Sequence, residues 1–311
     1  MVGFLLLVAS AVLLTAGSEL FAEHASAAGR RFGVTALAIG LVLAGAEPEE
    51  MVTAIFASAR HLPGIAAGDA IGANVTMLTV VLGLAALARP LELSGRVRTY
   101  ALAASAAGVA AALALLGGQV GRVWGVLLVV AYLLAVGVVW WRERQPPAFG
   151  EAAELEEHER EEPSGAGDSR AAVLVVVGVV VMAGGGWLAV SGAERIVHSL
   201  GLAQSVVGLT FVALATTAEL FALVWAAYRR GVEELALAGV LGSAVYNATA
   251  TLGVAALVHP IYATGIEWQA WLGAALPAAL VVYAALFKRV GRLGGAMLFA
   301  AYGTYLALTF R

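Results

Sequence analysis

Apolar residues run through this chain in blocks long enough to cross a hydrocarbon core of about 30 Å, which takes roughly 20 residues as a helix. Ten such runs open near Val2, Gly33, Gly64, Thr99, Val123, Ala171, Val206, Leu235, Trp268 and Leu293, five on each side of one long polar stretch. The pattern predicts an all-α membrane protein with ten transmembrane helices. The first run lacks a cleavage-like polar exit and is followed by further spans, so it reads as a retained helix and not as a signal peptide. Boundaries fall at 1–141 for a first five-helix half, 142–170 for an acidic linker and 171–311 for a second five-helix half.

The polar residues between the runs set the orientation. Arg30, Arg31, Arg89, Arg96, Arg98, Arg142, Arg144, Arg229, Arg230, Lys288, Arg289 and Arg292 fall in alternate loops, and Arg160 and Arg170 of the linker join them. The opposite side receives only Arg60, Arg122, Arg195 and Arg311. By the positive-inside bias the first set is cytoplasmic, which places both termini outside and the linker inside, with the cell membrane as the expected location. Five helices per half is an odd number, so the second half enters the membrane upside down relative to the first, an inverted repeat of the kind found in secondary transporters. Composition agrees: 61% of the 311 residues are hydrophobic and 13% charged, against about 25% charged in a soluble domain. The absence of cysteine excludes disulfides, thiolate metal sites and cysteine nucleophiles.

Within this apolar background one carboxylate occurs twice in the same setting. Glu49 follows Gly45, Ala46, Glu47 and Pro48, and Glu219 follows Ala215, Thr216, Thr217 and Ala218. The two stretches superpose without a gap at an offset of 170 residues, with Gly72 falling on Gly242 and Leu82-Gly83 on Leu252-Gly253. A charged carboxylate in hydrocarbon costs a few kcal/mol or more, and its duplication points to a cation or proton pathway. Calcium takes six to eight oxygens, commonly carboxylates with backbone carbonyls and water. Glu49 and Glu219 can supply up to four of them. Pro48 removes a backbone donor, which frees carbonyls near Gly45 and Ala46 to face a polar cavity. Thr216 and Thr217 offer hydroxyls and Asn247 an amide oxygen, with Ser243 and Glu47 completing the candidate set. Protons compete with the metal for the same oxygens, so exchange follows from the chemistry of the carboxylates.

Structural roles stand beside these functional ones. Threonines bond back to their own helix, and Ser243 and Asn74 also suit helix packing. Glu47 and Glu50 are expected to line a vestibule or make local hydrogen bonds. Asp69 is expected as a hydrated cap near the outer end of its helix. His24, His61, His198 and His259 lie near span ends without metal-ligand spacing, and the Trp and Tyr residues suit membrane anchoring. The linker's Glu151, Glu154, Glu156, Glu157, Glu159, Glu161 and Glu162 lack the glycine turn of a dedicated calcium loop and read as a solvated tether.

The GAEPE stretch Gly45 to Glu49, ATTAE from Ala215 to Glu219, GANVTM from Gly72 to Met77 and GSAVYN from Gly242 to Asn247 resemble the acidic repeats of the calcium/cation antiporter superfamily. Gly17-Ser18-Glu19-Leu20 and Gly208-Leu209-Thr210 fit the same pattern. This superfamily includes sodium/calcium and calcium/proton exchangers. The resemblance implies two inverted five-helix halves and a secondary antiporter, not an enzyme, whose substrates are inorganic cations: calcium, with protons or sodium as counter-ion, exchanged by alternating access. Partners are expected to be these cations and the lipid bilayer, without nucleic acid. Departures are specific: the second repeat lacks the proline, Gly45 and Ala46 stand where sodium/calcium exchangers carry hydroxyls, and Ala73 and Met77 replace further oxygen donors. The same fold could also serve a cation channel or a cation sensor. An intramembrane enzyme has less support, for no HExxH, P-loop or dinucleotide motif is present and the only lysine, Lys288, ends a helix.

Overall fold

The computed structural model describes residues 1–31, 47–143, 169–221, 224–225 and 233–311. In the first half, α1 (Val2–Arg31) and α2 (Pro48–Ala59) precede a rod made of α3 (Pro63–Thr76), a wide π turn over Met77–Val81, and α4 (Leu82–Ala88). A short strand β1 (Leu91–Glu92) leads into α5 (Gly95–Leu115), and β2 (Gln119–Val120) into α6 (Arg122–Glu143). The second half has α7 (Ser169–Leu200), then α8 (Gln204–Val207), a π turn over Gly208–Val212, and α9 (Ala213–Thr216). Its rod comprises α10 (Glu233–Tyr246), a π turn over Asn247–Thr251, and α11 (Leu252–Val258). There follow β3 (Ile261–Tyr262), α12 (Glu267–Leu286), β4 (Arg289–Val290) and α13 (Arg292–Thr309).

Among the described residues seven helical stretches are long and apolar enough to span a membrane, and shorter helices accompany them. Local chemistry explains several of their ends. Pro48 and Pro63 stand in the first turns of α2 and α3, where no backbone donor is needed. Ser94 caps α5 by accepting from the Val97 amide at 3.2 Å.

The second rod, its π turn and α11 each begin 170 residues after their counterparts, as do β3 after β1, β4 after β2 and α13 after α6. The strands pair in the way an inverted repeat requires. β1 runs antiparallel to β4, with Leu91 opposite Val290, and β2 antiparallel to β3, with Val120 opposite Ile261. Exchanging the halves turns one ladder into the other. Each ladder joins segments that the loop charges assign to one side of the membrane. At the end bearing β2 and β3, His61 and His259 meet edge to face with ring centroids 4.4 Å apart, a pairing that their sequence separation concealed.

Burial separates the core from the rim. The apolar windows of the two rods are 89% buried, whereas those of α1, α6, α7 and α12 are 28–33% buried. Outward rows such as Val126, Leu127, Val130, Leu133, Leu134 and Val138 on α6 supply the lipid-facing surface. Where helices cross, small residues bring the backbones together. Gly83 on α4 lies against the Gly295 carbonyl of α13, and Gly125 on α6 against the Gly253 carbonyl of α11, two contacts that the repeat interchanges. The tightest approach joins the halves: a Cβ on Gly72 would lie 2.4 Å from the Leu209 carbonyl oxygen and 2.6 Å from its Cα.

Backbone cannot yield as a flexible side chain does. Gly72→Ala is therefore expected to destabilise the protein by roughly 1–3 kcal/mol, visible as a lower melting temperature in detergent. Gly137→Ala on α6, where nothing lies within 4 Å, should leave the melting temperature unchanged or raise it, since alanine favours a helix over glycine by about 1 kcal/mol. Equal behaviour of the two variants would contradict the packing.

Candidate ion site

Both repeats leave helical geometry at the same position. Glu47 precedes α2 with φ −148° and ψ 78°, outside the helical region. Its counterpart Thr217 ends α9 with φ −78° and ψ 4°, and the chain is helical again over 218–221. Glu49 and Glu219 consequently both occupy the first turn of a helix that starts deep in the protein. An unsatisfied helix N-terminus carries partial positive charge and favours an anionic side chain there. Thr53 braces the first turn of α2 by donating to the Glu49 carbonyl at 2.8 Å.

These breaks bring three carboxylates together. Glu47, Glu49 and Glu219 each present an oxygen within 4.8 Å of the others. Oxygens on opposite sides of one calcium ion, each about 2.3–2.6 Å from the metal, are about 5 Å apart, so the cluster has the span of a single coordination sphere. Glu47 and Glu49 are wholly buried and Glu219 is 9% exposed. Helices from both halves orient the acids: Ser243 of α10 donates to Glu47 Oε1, and Ser18 of α1 donates to Glu219 Oε2.

The remaining candidates divide. Thr217 gives its hydroxyl hydrogen to the Ala213 carbonyl at 2.7 Å, which leaves its lone pairs as its available function. Thr216 donates to Asp69 Oδ1 at 3.1 Å and also lies near the carbonyls of Val212 and Ala213. Asn247, buried at the start of its π turn, accepts from Thr251 through Oδ1 at 3.2 Å. The repeat counterpart of Asn247 is Met77, equally buried and at the same point of the other rod. Gly45 and Ala46 lie outside the described residues.

Two expectations change. Asp69 is not a hydrated cap: it is fully buried in the middle of α3 and faces Thr216 of the opposite half. The signal was present in its neighbours, since Gly68 and Gly72 mark the face of α3 that packs against the Gly208–Val212 turn. Glu50 is likewise buried completely and not in a vestibule. Ser18, noted in the sequence only as part of a motif, is a direct partner of Glu219. Between the rods, Asn74 Nδ2 donates to the Ala244 carbonyl at 3.0 Å, across a separation equal to the repeat offset.

Such a site places several carboxylates beyond the reach of bulk water. Carboxylates gathered in this way suit cations or protons. The pattern of the sodium/calcium exchanger protein family matches residues 2–141 and 170–311. The CaxA antiporter candidate of Alkalimonas amylolytica is 27% identical over 310 residues, 96% of each chain. The inner membrane protein YrbG of Escherichia coli is 26% identical over 258 residues, covering 82% of this chain and 79% of its own. Structures of the sodium-calcium exchanger NCX_Mj share the fold: one soaked without Na+ and Ca2+ superposes with a TM-score of 0.64 at 24% identity over 100% of this chain and 99% of the exchanger. Another, soaked with 2.5 mM Na+ and 10 mM Sr2+, gives 0.63 at 24% identity over 99% of both. With the family pattern matched on both sides of the linker and the exchanger fold of ten transmembrane helices in two repeats, the chain belongs to the sodium/calcium exchanger family and is a membrane cation antiporter, not an enzyme.

Proposed function

We propose that the protein exchanges calcium for protons by alternating access, with Glu47, Glu49 and Glu219 binding the transported ion. The observation that carries this reading is the meeting of three carboxylate oxygens from opposite halves within 4.8 Å. Ser243, Thr216, Thr217, Asn247 and the carbonyls of Gly45 and Ala46 complete the proposed ligand set. The protein is proposed to lie in the cell membrane with both termini outside and the acidic linker, residues 142–170, in the cytoplasm between halves 1–141 and 171–311. The loop charges support this orientation, and YrbG, an inner membrane protein, supports the location.

Protons are favoured over sodium on coordination grounds. Sodium leaves water only where enough oxygens replace its hydration shell, and on α3 and the following π turn Ala73 and Met77 are buried residues without oxygen ligands in their side chains. A proton needs only a carboxylate. In proteoliposomes a pH gradient should therefore drive calcium movement faster than a sodium gradient of equal size. Raising pH should tighten calcium binding, because protons are then fewer competitors for the same oxygens. Sodium-driven calcium flux at constant pH, indifferent to a proton gradient, would reverse the assignment.

Glu49→Gln and Glu219→Gln keep volume but remove charge. Each should reduce calcium flux to background and weaken calcium binding by tenfold or more, equivalent to about 1.4 kcal/mol, while the protein still elutes as a folded species. Glu151→Gln and Glu157→Gln in the linker should leave maximal flux unchanged. Wild-type flux in either of the first two variants would remove that carboxylate from the site, and discrete single-channel conductance would contradict exchange altogether.

A further inference from the structure

The C-terminal ends of α2 and α11 meet side by side, and the hydroxyl of Ser58 joins them. It lies 2.6 Å from the Ala255 carbonyl oxygen and 3.2 Å from that of His259. Three residues on, α2 closes with a turn that usually calls for glycine. The His61 amide donates to the Ser58 carbonyl at 3.0 Å and the Leu62 amide to the Ala57 carbonyl at 2.9 Å, with His61 left-handed at φ 58°. Among the described residues no other non-glycine residue has a positive φ. A side chain is thus kept where glycine would fit without steric cost, and the residue 170 positions on in the sequence is Gly231.

That side chain meets the second half. The ring of exposed His61 packs against the ring of half-buried His259, with centroids 4.4 Å apart and planes at 89°. Edge-to-face packing would suit any aromatic pair; the ring nitrogens are what set histidine apart. His259 Nδ1 lies 3.1 Å from the Pro260 carbonyl oxygen. A carbonyl only accepts, so Nδ1 carries the proton and Nε2 keeps its lone pair, the arrangement that orients a metal-ligating histidine. The backbone does not require imidazole there, for the counterpart of His259 is Arg89, at φ −149° and ψ 141° against −146° and 136°. Arg60, beside His61 in sequence, turns to Ser191 and Glu194 of α7, which compensates its charge. Two imidazole nitrogens, each about 2.0–2.1 Å from one tetrahedral zinc ion, put their ring centroids about 5 Å apart, a small ring rotation from the separation found.

We propose that His61 and His259 form a site for one divalent transition-metal ion of the zinc class, held between the two halves at the end bearing β2 and β3, with water completing its coordination. Imidazole selects zinc, copper or nickel over calcium and magnesium, which prefer oxygen. The bound ion would fasten α2, whose first turn carries Glu49, to α11 of the other half.

Isothermal titration of the purified full-length protein in detergent with zinc ions tests the site, with calcium in excess to occupy the acidic cluster. The wild type should bind one zinc ion per chain with micromolar or tighter affinity. His61→Gly suits the left-handed turn and His259→Asn keeps a side-chain amide donor, so both should elute as folded species. Each should weaken zinc binding tenfold or more. His198→Ala, at the end of α7, should leave the affinity unchanged, and excess magnesium should not compete. A wild type that binds no zinc overturns the site, as does wild-type affinity in either His61→Gly or His259→Asn. An equal loss in His198→Ala also overturns it, since the zinc would then be held by scattered histidines. None of these outcomes depends on the exchange reaction.

Discussion

Everything in this structure is arranged around the difficulty of keeping carboxylates out of water. Five acids, Glu47, Glu49, Glu50, Asp69 and Glu219, lie within the helical core, four of them with no exposure and the fifth with 9%. Each isolated charge in hydrocarbon costs a few kcal/mol at the least. The fold lowers that cost by starting helices at the acids, by directing Ser18, Ser243 and Thr216 toward them, and by surrounding them with the two most buried rods. Carboxylates gathered and oriented in this way suit a cation arriving from solution.

The glycines follow from the same need. A site shared by two halves requires their backbones to approach closely enough for short side chains to meet. Gly72 on Leu209 provides that approach at the core, and the reciprocal contacts Gly83–Gly295 and Gly125–Gly253 hold the rods against the outer helices. In hydrocarbon, where apolar contact with lipid is as good as contact with protein, this closeness is what makes a helix prefer its neighbour.

The sequence reveals the helices and the repeat more fully than the site. Runs of some 20 apolar residues and a gapless 170-residue offset are local or internally redundant signals, and the family pattern and the fold agree with both. Glu49 and Glu219 stood out because each confirms the other. Asp69 had no such partner in the repeat, and only the neighbouring glycines, Gly68 and Gly72, hinted that its stretch of α3 is packed. Its setting depends on which face of α3 meets α9, a contact across 147 residues. The histidine pair was hidden for the same reason, since His61 and His259 meet only when the ends of α2 and α11 are brought together. Asn247 illustrates the converse: its chemistry was legible, but not that Thr251, one turn later, donates to its oxygen.

The hydrogen bond from Asn74 to the Ala244 carbonyl has a bearing on why the two halves are one chain. A residue near a two-fold axis faces its own copy. In an antiparallel pair of identical five-helix subunits, position 74 would meet position 74, and two asparagines would compete for the space that one fills here. Fusion into a single polypeptide dissolves that identity. One copy becomes a donor and the other a small residue whose carbonyl receives it, and the same freedom allows acids to accumulate in one half without being mirrored in the other. Covalent linkage thus does more than tether the halves: it makes a heterodimer out of a homodimer's geometry.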